Sequence, residues 1–482
     1  MTIPRHMIWS ADDLQKATGG QLLSGDPACR FAGIGIDSRA LPEGALFVAI
    51  VGEVHDGHRF VESVIGKGGT GVLIDTRHVP LMPMSQWRNA GVVCLAVKDT
   101  TRALGDLAAF HRKRSGACVV AITGSNGKTS TREMTAAVLG QQYETLTSLK
   151  NFNNEIGVPL TLLRLVPAHQ WVVAELGMNH SGEIRRLGEI CEPDLGVITN
   201  IGPAHLEGLG SLDGVMAAKG ELLETLSPAG VAVLNADDPR CRLLAASAAR
   251  EVLFYGVADN AHVRAEAVRE KGRGTVFDLL LPDARIEVEL QTPGRFMVLN
   301  ALAAATVGYR LGVPAVKIKA GLERFRPVDG RAKVIDTVMG IHVINDTYNA
   351  NPGSMAAAIS MLTALAKGSR SFFAMGDMRE LGAGAASLHR EIGMLSADAD
   401  VFRLAATGEF ALSVAEGARA GGIPSDRIMT GGQEEILSDF KQHLSAGDWL
   451  LVKGSRTMGM EKMVTELVNW AGGPVPQTED KN

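Results

Sequence analysis

The chain lacks the features that would commit it to a membrane, a disulfide scaffold or a nucleic acid. No apolar run approaches the ~20 residues that cross a bilayer. Arg5, His6, Asp12 and Asp13 stand near the N-terminus with no apolar signal segment, which predicts a soluble, cytoplasmic protein with no membrane partner. Cysteines number only five, Cys29, Cys94, Cys118, Cys191 and Cys241, and they are far apart. No two have metal-ligand or redox spacing, so reduced, partly buried thiols are expected. The net charge of −5 provides no global basic field. That excludes nucleic acid as the main partner and leaves room only for local phosphate pockets. Internal repeats and low-complexity tracts are also missing.

What is present is 46% hydrophobic residues in 482 positions, enough for several cores and about three domains of ordinary size. The stretch Ala121 to Ser130 organises them. An apolar run, Cys118 to Ile122, reads as a buried strand, and Met134, Ala137 and Val138 then recur at helical spacing. Strand, glycine loop and helix form the context of a phosphate-binding loop, here Gly124, Ser125, Asn126, Gly127, Lys128, Thr129 and Ser130. The glycines admit an anion close to the backbone, and the helix start offers free N–H groups. Lys128 would reach the outer phosphates and Thr129 would place a hydroxyl on magnesium. The long form of the motif has Gly where Ile122 stands, so this loop is a shorter version.

Alternating patterns predict an α/β fold. Ser10 and Asp13 form a capping box before a short helix ended by Gly19-Gly20, and Asp99 caps a helix over 100–114. Strands are expected at 46–51, 72–74 and 92–97, then at 118–122, 171–176, 195–201, 231–235 and 252–255. The second group, with helices between, predicts a mainly parallel, doubly wound sheet. Residues 261–290 read as an antiparallel addition, and strands at 372–375, 402–406 and 449–452 as a third unit. A helix over 458–470 and a polar, frayed tail from Gly472 close the chain. The expected domains are 1–99, 100–326 and 327–482.

In open α/β sheets ligands gather at the carboxyl ends of the strands. Glu175 ends one such strand, and Asn200 with His205 follows the next. Both strands are candidates to flank the loop strand, which would give a shared magnesium–phosphate site. Either residue alone reads rather as a solvated loop charge or a hydrogen-bonded histidine, and spacing alone leaves the shared site evenly balanced against that. Spacing alone favours an exposed helix lysine for Lys219 and a surface amide for Asn300. Arg331 is a candidate turn residue, and Asp346 either shapes its loop or binds a sugar hydroxyl. Lys453 with Arg456 makes a small basic site for an anion.

Taken together, the phosphate loop, Lys150 to Pro159, Glu175-Leu176-Gly177, Ala204 to Glu207, Ala218 to Glu221 and Lys453 to Arg456 resemble the Mur ligases, from about Asp37 to Arg456. That resemblance implies a small α/β N-terminal domain, a central P-loop doubly wound ATPase domain and a C-terminal Rossmann-like domain that closes over the site. Asn345 to Pro352 and Met375 to Gly382 are similar to the member that adds a dipeptide. The implied reaction joins D-alanyl-D-alanine to UDP-N-acetylmuramoyl-tripeptide, with ATP, through an acyl phosphate. A sister ligase adding a diamino acid and a non-catalytic nucleotide-binding scaffold remain as alternatives.

By the same resemblance Lys128, His205 and Lys219 are catalytic, and Thr129, Glu175, His205 and Lys219 hold Mg2+. Lys219 does so as a CO2-derived carbamate. The phosphate loop, Asn300, Arg331 and Asp346 bind ATP. Ser38 and Arg39 hold the UDP end of the substrate, and Asn154, Tyr348, Asn349 and Lys453 bind the substrates as well; separately, a monomer is expected. Family members carry His-Asn where this chain has Phe296-Met297, which removes side-chain hydrogen bonding of that kind there.

Overall fold

The structure, a computed structural model, describes residues 8–52, 55–149 and 151–475. Arg5, His6, Lys150 and the chain beyond Val475 lie outside them. Three parallel or mixed sheets follow one another along the sequence. The first has five strands, the second nine and the third six.

The N-terminal unit opens with the expected capping box. Ser10 Oγ accepts from Asp13 N, and the Asp13 carboxylate accepts from Ser10 N, both at 3.0 Å. The helix Ala11–Thr18 ends at Gly19 in the left-handed region. Strands Ala45–Val48, Gly71–Asp75 and Val93–Val97 pair in parallel and are buried throughout. Strands buried on both faces read as continuous apolar runs rather than alternations.

In the central sheet the loop strand Cys118–Thr123 lies between Trp171–Glu175 and Leu195–Ile198, parallel to both. This is the arrangement that the spacing of Glu175 and His205 required. Val231–Asn235 and Glu251–Gly256 extend the parallel part, and Val263–Lys271, Gly274–Leu281 and Ala284–Leu290 add the antiparallel end. A further parallel edge strand, Thr145–Thr147, was not expected. The strand at 195–201 stops early, at Ile198, so Asn200 sits in the loop beyond it.

The helix Arg295–Arg310 packs on the loop helix Lys128–Leu139 with a face of small residues, Ala301, Ala304, Ala305 and Gly308 among those buried. A Cβ on Gly308 would lie 2.6 Å from Val138 Cγ1, so small size there sets the interhelix distance. That close approach brings Asn300 against the phosphate loop.

In the third unit Lys333–Asp336 pairs antiparallel with His342–Asp346, and the parallel strands run on through Trp449–Lys453, Ser371–Gly376, Arg403–Thr407 and Ile428–Thr430. The final helix is Glu461–Trp470, preceded by a short turn of 3-10 helix at Arg456–Met458. The tail is not frayed at its start. Val338 N donates to Gly473 O at 3.1 Å and Val475 N to Asp336 O at 2.8 Å. The rest of the expected frayed tail lies outside the described residues.

Candidate active site

The phosphate loop follows its strand directly, and two glycines in it are obligatory for space. Gly124 has φ +146°, and a Cβ there would stand 1.8 Å from Thr199 Oγ1. Gly127 has φ +81°, and its Cβ would stand 2.3 Å from Asn300 Oδ1. The loop is pinned from the neighbouring strand end. Asn126 N donates to Asn200 Oδ1 at 2.9 Å, Asn200 Nδ2 to Asn126 O at 3.1 Å, and Thr199 Oγ1 to the same carbonyl at 2.5 Å. Ser125 Oγ donates to Gly202 O at 2.9 Å. Lys128 Nζ donates to Gly124 O at 2.7 Å, closing the loop on itself. Burial lowers the Lys128 amine from its ordinary value.

At the start of the loop helix, Thr129 Oγ1 donates to Glu175 Oε2 at 3.0 Å. The Glu175 carboxylate is buried and also takes Asn153 Nδ2 at 2.9 Å and Arg132 Nη1 at 3.3 Å. A hydroxyl beside a carboxylate is the donor set of a hard divalent cation, so these residues fit magnesium. Lys219 is buried, at 1% exposure, on the helix Leu212–Glu224. No carboxylate pairs with it among the described residues. Its amine is pushed well below the ordinary value by burial and by the charge of Lys128. The exposed lysine favoured by spacing alone is therefore corrected. Asn300 is likewise buried rather than a surface amide, accepting from Thr131 Oγ1 at 3.3 Å.

The third unit meets this loop across a cleft. Its lining joins the loop residues Ser125 to Ser130 to Thr199, Asn200, Phe296, Met297, Asn300, Arg331, Asp346, Asn349, Asn351 and Lys453. Arg331 Nη2 reaches Thr129 Oγ1 at 3.3 Å, and its guanidinium lies 3.9 Å from the Tyr348 ring centre, a cation–π contact. Asp346 accepts from Ala332 N at 3.0 Å and from Lys453 Nζ at 2.6 Å, and Lys453 also donates to Asn349 O at 2.9 Å. Phe296 and Met297 contribute apolar wall, and Met297 Sδ accepts from Asn300 Nδ2 at 3.6 Å.

His205 has left-handed φ, +56°, and its Nδ1 lies 2.5 Å from Glu380 Oε2 of the third unit. The contact does not have the geometry of an aligned hydrogen bond, and it is an ion pair only when the ring is protonated. His205, Glu175, Lys219 and Gly124 do not line the cleft itself. Asn154 caps its own turn, accepting from Ile156 N and Gly157 N at 3.2 and 2.9 Å, while its neighbour Asn153 reaches Glu175. Ser38 and Arg39 stand apart on the N-terminal unit. Arg39 pairs with Asp37 in the open and lowers that carboxyl to about 2.

A second cluster, Asp56, His58 and His78, holds three potential metal donors within 4.8 Å of one another. It does not suit a metal. His58 Nε2 accepts Asp75 N–H at 2.9 Å, so the ring proton sits on Nδ1, which faces Asp56 Oδ1 at 2.7 Å. Metal on Nδ1 would require that proton to move to a nitrogen already facing a donor. No helix among the described residues is long and apolar enough to cross a membrane.

The sequence matches the Mur ligase family catalytic domain over residues 30–112, the Mur ligase middle domain over 122–308 and the Mur ligase glutamate ligase domain over 330–456. It is 38% identical to the UDP-N-acetylmuramoyl-tripeptide–D-alanyl-D-alanine ligase of Escherichia coli K12, covering 89% of this chain and 92% of that one. Its fold superposes on a crystal structure of MurF from Acinetobacter baumannii with TM-score 0.86 and 32% identity, over 96% of this chain and 100% of that one. MurF from Thermotoga maritima in complex with ADP gives TM-score 0.79 and 26% identity, over 91% and 98%.

Proposed function

The chain belongs to the Mur ligase family, and from that premise we propose how its residues join D-alanyl-D-alanine to UDP-N-acetylmuramoyl-tripeptide. It is an ATP-dependent ligase of the D-alanyl-D-alanine-adding type, acting in peptidoglycan synthesis. The observation that supports the residue roles best is the cleft itself. A phosphate loop on one unit faces Arg331, Asp346 and Lys453 on the other, with Glu175 at the loop helix.

A carboxylate is a poor electrophile for an amine, and phosphorylation corrects that. The terminal carboxylate of the tripeptide attacks the γ-phosphorus of ATP, ADP leaves, and an acyl phosphate forms. The amine of the dipeptide, having lost its proton, attacks the carbonyl carbon, and phosphate departs with the carboxylate oxygen. Lys128 steadies the transferring group, and the loop N–H groups hold the remaining phosphates. Asn300 meets the adenine, and Arg331 and Asp346 meet phosphate and ribose. Magnesium, when bound, offsets the phosphate charge, with Thr129, Glu175, His205 and Lys219 as the residues that would hold it. A neutral buried amine is the form that takes up CO2, so Lys219 is suited to become a carbamate with carboxylate-like oxygens. Ser38 and Arg39 hold the UDP end, and Asn154, Tyr348, Asn349 and Lys453 the peptide side. The third unit excludes water that would otherwise destroy the acyl phosphate.

The reading divides the chain near residues 99 and 326 and has it act as a monomer in the cytoplasm. Mass spectrometry of products from Mg-ATP, UDP-MurNAc-tripeptide and D-Ala-D-Ala tests it. A UDP-MurNAc-pentapeptide made only with the dipeptide is expected. Coupling of a diamino acid onto UDP-MurNAc-dipeptide instead would overturn it.

A further inference from the structure

One bond across the cleft is used by none of these roles. Asn351 Nδ2, on the third unit, donates to Asn126 Oδ1 on the phosphate loop at 2.8 Å. Asn351 is also the N-cap of the helix Pro352–Leu365, and its capping box is complete without that bond. Asn351 Oδ1 accepts from Ser354 N at 2.9 Å, and Ser354 Oγ accepts from Asn351 N at 3.0 Å. Capping needs only the side-chain oxygen, and Ser or Asp supplies it as well as Asn. The amide N–H of Asn351 is therefore surplus to the cap, at a site only 7% exposed, where an unmet donor is costly. The fold satisfies it with the tip of the phosphate loop.

The other partner is equally committed. Asn126 has its backbone N–H and carbonyl held by Asn200 and Thr199 on the central unit. Only its side chain is left to face the third unit. Asn200, Asn126, Asn351 and the capped helix thus form a continuous chain of amide contacts from the central strand ends into the closing unit. The two middle members are 225 residues apart and lie in different units, one in the phosphate loop and the other at a helix N-cap. Separation of the units would break their bond while leaving the capping box of Asn351 and the bonds from Asn200 and Thr199 to Asn126 intact.

We propose that Asn351 is a positioning residue for ligation: its bond to Asn126 is the catch that couples closure of the third unit to the geometry of the phosphate loop. The inference rests on the ligase reading above. Because half of the catch belongs to the loop, any ligand that orders the loop also favours the closed arrangement, and closure in turn holds the loop.

The test uses the full chain and the variants Asn351→Ser and Asn351→Ala. Ser keeps the cap but is too short to reach Asn126, whereas Ala loses both cap and catch. Small-angle scattering with and without Mg-ADP reads closure, and steady-state kinetics with product analysis reads its consequence. Asn351→Ser is expected to keep the parent's melting temperature to within about 2 °C. Its compaction on Mg-ADP should be reduced but not abolished, because Arg331 still reaches Thr129 and Glu380 O still accepts from Glu207 N across the units. Its kcat should fall about three- to tenfold, the range set by one net hydrogen bond, with KM for ATP moving less. ATP consumed without peptide product should rise, because an open site admits water. Compaction and coupling equal to the parent in Asn351→Ser would overturn the proposal, as would a parent that does not compact with Mg-ADP. So would loss confined to Asn351→Ala, which would make the residue a cap alone. A parent that compacts through the catch yet forms no pentapeptide would sink the ligase reading and leave the catch standing.

Discussion

Gly127→Ala is the perturbation whose cost can be worked most fully from the geometry. Gly127 has φ +81°, where an L-residue costs about 1–2 kcal/mol. The added Cβ would stand 2.3 Å from Asn300 Oδ1, so the Asn300 amide must move. That amide is buried and accepts from Thr131 Oγ1 at 3.3 Å, a contact worth about 0.5–1.5 kcal/mol net. The sum is about 2.5 kcal/mol, or ~5–10 °C for a domain of this size. Thermal melts with and without Mg-ADP provide the assay. At ligand about 100 times Kd the parent gains ~2.7 kcal/mol, and the variant should gain less than half of that, because its loop and Asn300 are both displaced. Gly66→Ala is the control. Gly66 lies in the helix Val61–Gly66, and a Cβ there meets nothing within 4 Å. A Gly127→Ala protein that melts with the parent and gains as much from Mg-ADP would refute the reasoning.

Lys219 and Glu175 yield two further expectations. The Lys219 amine is held well below its ordinary 10.5, first by burial. Between the lowered folded value and 10.5 the unfolded chain binds one more proton, so this group makes stability rise with pH across that window. Lys219→Met should remove that slope and raise the melting temperature at neutral pH while abolishing ligation; parallel slopes in parent and variant would contradict it. Glu175→Gln removes a carboxylate beside buried Arg132, which keeps Glu133, so it should cost only about 1–2 kcal/mol by denaturant unfolding. It should also raise the magnesium concentration needed for half-maximal turnover, and an unchanged magnesium requirement would remove Glu175 from the metal site.

The sheets were legible because their strands are short apolar runs between glycine, proline and polar stretches. Cys118–Thr123, Val231–Asn235 and Trp449–Lys453 are buried at nearly every residue, and such strands announce themselves by composition. Thr145–Thr147 and Ile428–Thr430 did not, since three residues set no period. Within the site, the phosphate loop was legible from its own local chemistry. Lys219 and Asn300 were not, because burial is decided by what packs on a helix rather than by the helix. Lys219 sits between Ala218 and Gly220, which carry no sign of a buried amine. Asn153 and Asn154 are adjacent identical residues, and only the fold shows that the first reaches Glu175 while the second caps a turn. The contacts of Arg132 with Glu175, of Glu380 with His205 and of Asn351 with Asn126 come from other elements or another unit, which no local pattern encodes. The family resemblance supplied Lys219 and Asn300 where periodicity pointed the other way.

The central claim is that the cleft activates a carboxylate by phosphoryl transfer. The most direct measurement follows oxygen. UDP-MurNAc-tripeptide labelled with 18O in its terminal carboxylate is turned over with Mg-ATP and D-Ala-D-Ala, and the released phosphate is weighed by mass spectrometry. The account predicts one labelled oxygen in each phosphate formed alongside pentapeptide, since the carboxylate oxygen leaves with the phosphoryl group. Unlabelled phosphate, carrying an oxygen from solvent instead, formed alongside pentapeptide would contradict it.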